Sequence, residues 1–126
     1  MKYSIDELFE MLSWNSSEEV QQQGIVEAKK IKNFSVFIRP IESKSMWENC
    51  AQIICSKSDS DLERYLPELF LWLQDMAWPG AETVYTRLKK IPQCKISFAY
   101  ALSVDTAKKL NDKPWLQVLE SFAFQA

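Results

Sequence analysis

Apolar residues recur every three or four positions through most of this 126-residue chain, the spacing of helices with one buried face. Near residues 4–13, Ile5, Leu8, Phe9 and Leu12 share a face, and Ser4 with Glu7 has capping-box spacing. Trp14-Asn15-Ser16-Ser17 reads as a corner in which Asn15 or Ser16 caps a second helix running to about Lys32. Val20, Gly24, Ala28 and Ile31 point inward there. A helix-interior glycine costs about 1 kcal/mol relative to alanine, so Gly24 implies a neighbouring helix passing close. Residues 34–40 fit either a short helical turn or an extended connector. A third helix is expected over residues 45–57, with Trp47, Cys50, Ala51 and Ile54 on one face.

The stretch YLPELFLWLQDMAWPGAETVYTRL, residues 65–88, is the clearest part of the pattern. Leu66, Leu69, Phe70, Leu73 and Met76 make one stripe, with Pro67 tolerated in the first turn. Trp78-Pro79-Gly80 then stops the helix, because the proline pushes Trp78 out of helical geometry and Gly80 permits a tight bend. A second stripe follows in Ala81, Val84, Tyr85, Leu88 and Ile91, predicting a helical hairpin. Residues 93–110 extend the pattern with Ile96, Ala99, Tyr100, Ala107 and Leu110. Asp112 is placed to cap a terminal helix that buries Trp115, Val118, Leu119 and Phe122. No strand has a partner to pair with. The expected fold is therefore all-α, a single domain over residues 1–126 of six to seven helices stacked as antiparallel hairpins. Trp14, Trp47, Trp78 and Trp115 lie 33, 31 and 37 residues apart, and KKI recurs at 29–31 and 89–91. A period in the thirties suggests a small HEAT-like or TPR-like array.

Composition removes function classes more readily than it supplies them. The chain has no histidine, the commonest general acid–base and zinc-binding side chain, so Ser-His and Cys-His nucleophiles are excluded. Three cysteines without CxxC spacing argue for reduced, buried thiols, with Cys50 a small core residue. Only two glycines occur, which argues against a phosphate-cradling loop. A net charge of −2 gives no broad basic surface for nucleic acid. The start, MKYSIDELFEML, lacks the apolar run of a secretory signal, and no segment is long enough to span a bilayer, so a cytoplasmic protein without catalytic, cofactor or metal sites is expected.

The run from Trp72-Leu73-Gln74-Asp75-Met76 to Trp78-Pro79, together with the upstream Lys57-Ser58-Asp59, resembles a bacterial domain-of-unknown-function family marked by a helix ending in WLQDMNWP. The resemblance covers about residues 57–91. It implies an α-helical, HEAT-like domain without assigned chemistry, and similar small helical proteins include immunity proteins that neutralise a competitor's toxin. Ala77 stands where that family usually has asparagine. If that asparagine caps the corner, Gln74 or Asp75 must do so here.

Five residues are candidates for contact with a partner: Asp61, Glu68, Trp72, Asp75 and Trp78. Glu68 and Asp75, seven apart, share a helix face that Asp61 can continue. Asp75 either fixes the corner or faces a partner. Trp72 lies off the stripe, so it is either an interface anchor or buried against another helix. Residues 59–82 carry six acidic side chains and one basic one, whereas 83–95 carry four basic and no acidic ones, a polarity that steers a partner or pairs internally. These features point to a non-catalytic protein-binding module, most concretely an immunity-type protein facing a basic toxin or enzyme. The alternative is an accessory or small-ligand-binding domain with a pocket lined by Tyr85, Tyr100 and tryptophans.

Overall fold

Four helices begin where a short polar side chain takes up free N–H groups of the first turn. In the computed structural model, which describes residues 3–122, α1 (Ile5–Leu12) opens with the expected reciprocal box: Ser4 Oγ accepts from Glu7 N–H and the Glu7 carboxylate accepts from Ser4 N–H. α2 (Glu18–Ala28) is capped by Ser17, not by Asn15 or Ser16, because the Ser16 hydroxyl is already donating to Glu10 O at 2.7 Å. It also ends at Ala28, four residues short of Lys32. α4 (Asp59–Leu62) is capped by Ser58, and α8 (Lys113–Glu120) by Asp112, with Pro114 in its first turn.

The third helix, α3 (Trp47–Cys55), is entered through a 3-10 turn over Lys44–Met46. Residues 34–37 form another 3-10 turn, whereas Ile38 is extended and Arg39 left-handed, so the ambiguous connector over 34–40 is helical only in its first half. The helix expected over 65–76 is shorter and more broken than its stripe implied. α5 (Leu66–Leu71) passes into a 3-10 turn at Trp72–Gln74, and Asp75 is extended. α6 (Ala81–Lys89) and the long α7 (Gln93–Lys109) follow. α7 stops in a Schellman motif, with Asn111 left-handed at φ 55° and the Asp112 N–H donating to Ala107 O at 2.9 Å. That early stop leaves Leu110 exposed rather than on the buried face.

The architecture is all-α, with no strand among the described residues. α1 lies on α2 and α7 on α8 as hairpins of sequence neighbours, while α5 runs along α7. α6 swings back from the corner onto α3 and the 72–74 turn. The apolar side chains join into one cluster from Leu8 to Phe122. Gly24 does mark a close approach, since a Cβ there would meet Met11 Cβ at 3.0 Å. The four regularly spaced tryptophans do not occupy equivalent places: Trp47 and Trp115 are buried, Trp78 is half-buried and Trp14 is exposed. Among the described residues no helix is long and apolar enough to cross a membrane.

One buried polar side chain ties the N-terminal hairpin to the rest. Asn49 of α3 donates through Nδ2 to Leu12 O at 2.8 Å and to the Gln21 side-chain oxygen at 2.9 Å. Asn49→Ala strands both acceptors, one of them a buried carbonyl, and is expected to lower stability by about 1–3 kcal/mol. Urea unfolding monitored by circular dichroism measures this, and a loss below about 0.5 kcal/mol would remove Asn49 as a tie between these helices.

Candidate functional site

The tryptophan-rich corner is a structural clamp. Trp72 is wholly buried, so it is not the exposed anchor that its off-stripe position allowed; α6, α8 and the Trp47 ring of α3 pack on the 72–74 turn that carries it. Its indole N–H donates to Pro79 O at 3.0 Å, and its ring meets Trp47 edge-on at 5.9 Å. Trp47 donates to Pro40 O and Trp115 to Phe70 O, so three indoles each fasten a backbone carbonyl outside their own helical turn, Trp115 one that lies 45 residues away. Trp78 packs edge-on against Trp47 at 5.6 Å with the Lys44 ammonium 5.7 Å from its ring centroid, leaving it half-buried.

The candidate carboxylates do not form the shared face expected of them. Asp75 lies beyond the end of α5 in extended backbone, so it is not in helical register with Glu68. Its Oδ1 accepts from Ala77 N–H at 2.9 Å, which supplies from Asp75 the corner bond that Ala77 cannot make. Glu68 is exposed on α5. Asp61, exposed on α4, borders a recess shared with Lys29, Lys32 and Lys57. The charge division is partly satisfied within the chain: Arg87 pairs with Asp59 at 2.7 Å and also donates to Cys55 O and Lys57 O. Tyr85 and Tyr100, expected to line a ligand pocket, pack edge-on or tilted against Phe122, and of the two only Tyr100 also borders a recess among those described, an open one of about 440 Å³ shared with Val104, Lys108 and Leu116. The Tyr85 hydroxyl lies 2.6 Å from Ser121 Oγ, and the Tyr100 hydroxyl donates to Leu119 O at 2.7 Å.

Burial also sets the chemistry of two thiols. It pushes the Cys50 thiol up to about 12, with the nearby Glu42 charge adding to the shift. The Cys55 thiol is pushed up to about 11, again chiefly by burial, with Arg87 opposing. Both are therefore protonated at neutral pH and poor nucleophiles. Among the described residues, no three His, Cys, Asp or Glu side chains are grouped to hold a metal ion.

A different set of carboxylates borders one recess. Asp6 and Glu10 stand one turn apart on α1, and Glu42 faces them from the connector before α3, around a recess of about 300 Å³ floored by Phe9 and Met46. Serines hold its two walls in place. Ser45 Oγ lies 3.0 Å from Ser13 Oγ and 2.8 Å from Ser43 Oγ, while Trp14 N–H donates to Ser45 O. No basic side chain is among the described residues lining the recess. Negative potential is concentrated by the concave, partly apolar walls. Two large apolar side chains flank it in sequence and stand in solvent, Trp14 at 56% exposure and Ile41 at 96%. An acidic recess beside exposed apolar groups suits a lysine or arginine side chain on a protein surface. Sequence reasoning missed this site, because Glu42 is over thirty positions from α1 and nothing local signals their meeting.

A family model described as a domain of unknown function (DUF5071) matches residues 44–124. That span takes in α3 to α8 and the tryptophan corner. No curated protein and no solved structure matches the chain.

Proposed function

The chain belongs to the DUF5071 family, a domain of unknown function, and we propose that it is a non-catalytic helical module that binds a basic protein partner. The observation that carries this reading is the recess bounded by Asp6, Glu10 and Glu42, with Trp14 and Ile41, the chain neighbours of its lining residues Ser13 and Glu42, exposed to solvent. Trp14 supplies the large amphipathic ring typical of interface anchors, and the carboxylates steer and orient a cation. A stack of helices of HEAT-like kind offers such a surface already formed, so little ordering cost attends binding. In its most concrete form this is a bacterial immunity protein of the cytoplasm, which inactivates a toxin by covering it.

The test is co-expression with the product of any toxin-like reading frame beside this gene, or capture from the native host, at low and moderate salt. A single stoichiometric basic protein is the expected result. Trp14→Ala should weaken that complex by about 30-fold or more, as loss of an anchor worth at least about 2 kcal/mol does. Glu10→Lys with Glu42→Lys should slow association and flatten its salt dependence. A partner that binds these variants as tightly as the parent chain docks elsewhere. Absence of any partner at both salts would overturn the reading.

A further inference from the structure

α7 is the longest helix described, and its two sides differ in what they meet. Ile96, Ala99, Ser103 and Ala107 are buried against α5 and α8. Lys95, Phe98, Leu102, Asp105 and Lys109 follow one another at spacings of three and four, which aligns them in a single outward stripe. All five are exposed, Phe98 at 81% and Leu102 at 46%. A phenylalanine and a leucine one turn apart in solvent make a small continuous apolar patch, and the charges on either side of it say what could cover it.

The order of charges along the stripe says what fits it. Reading outward from the middle, near Tyr100, the apolar pair comes first, then Lys95 towards the N-terminus and Asp105 towards the C-terminus. A second α7 laid antiparallel about that midpoint brings Phe98 of each copy to Leu102 of the other, and Lys95 of each to Asp105 of the other. The surface is thus complementary to itself in shape class and in charge, as a two-fold interface requires. Leu102 also borders a groove of about 200 Å³ with Pro67, Leu71, Thr106 and Trp115, which lies where the opposing Phe98 would arrive. Asp105 holds Lys109 at 3.0 Å in the same chain, but both are largely exposed, so it stays open to a second ammonium.

We infer that this stripe is the interface of a two-fold homodimer in which α7 pairs antiparallel with α7 of a second copy, centred on position 100. The patch is distinct from the acidic recess on α1, so dimerisation and partner binding stand or fall separately.

Sedimentation equilibrium on the full chain from about 1 to 100 µM is the test, that range bracketing the affinity of small interfaces. The expected result is twice the 14.7 kDa chain mass at the upper end. Phe98→Asp should weaken association by about 100-fold or more while leaving the circular dichroism spectrum unchanged, since the side chain is exposed. Lys95→Glu alone should weaken it by about tenfold, and Lys95→Glu with Asp105→Lys should recover it, because the two charges face each other only in this register. A monomer at 100 µM, an unchanged mass for Phe98→Asp, or failure of the double exchange to recover dimer would each overturn the inference.

Discussion

Trp72→Ala is expected to destabilise the protein by about 3–5 kcal/mol, the range for deleting a large buried aromatic. Three losses combine at this position. The side chain is completely enclosed, so the cavity left behind is large. Pro79 O loses the indole N–H that holds it, and Trp47 loses the ring packed edge-on against it. With typical domain stabilities of about 5–15 kcal/mol, such a change leaves little margin. Urea denaturation of the purified variant measures it, and Trp72→Phe separates the contributions, since phenylalanine keeps a ring but removes the donor. The phenylalanine variant should lose about 1–3 kcal/mol. A loss under about 1 kcal/mol for Trp72→Ala would mean that the corner does not depend on this clamp.

Gly80→Ala should be nearly as damaging, although it adds only a methyl group. Gly80 sits at φ 84°, a left-handed conformation that costs an L-residue about 1–2 kcal/mol. There is also no room. An added Cβ would lie 2.8 Å from Ala51 Cβ, 2.8 Å from Trp47 O and 3.0 Å from the Trp72 ring. The carbonyl belongs to the first residue of α3 and cannot move without shifting that helix, so overpacking adds about 1–3 kcal/mol. The sum, about 2–5 kcal/mol, should appear as a fall in urea midpoint with the slope unchanged. A variant as stable as the parent would show that α6 and α3 are further apart than this corner places them.

Both expectations draw on a corner whose location was readable from Trp78-Pro79-Gly80 before any fold was known. Proline and glycine constrain the backbone through their own covalent structure, so their effect does not wait on distant contacts. The same holds for Ser4 with Glu7, for Asp112, and for Pro67 in a first turn. The stripe Leu66, Leu69, Phe70 and Leu73 was legible because helical periodicity is a local property. It gave no warning that α5 would end at Leu71, since 3-10 and α backbones carry apolar residues at nearly the same spacing.

The candidate surface shows the opposite case. Glu68 and Asp75 looked like neighbours on the assumption of one continuous helix, and the break after Leu71 separates them. Asp6, Glu10 and Glu42 looked unrelated, and the serine contacts across thirty-two positions bring them together. The α7 stripe was present in the spacing of Lys95, Phe98, Leu102, Asp105 and Lys109 all along. Only the burial of the other side of that helix distinguished it from a second core face.

From the amino-acid order alone came the all-α class, the start of several helices and the sharp bend at Gly80, because capping, chain stiffness and periodicity act over a few residues. The tertiary structure alone decided that Trp72 is enclosed, that Trp14 stands in solvent and which carboxylates share a recess. A periodic pattern states that a face must be covered, but what covers it depends on how helices tens of residues apart pack together.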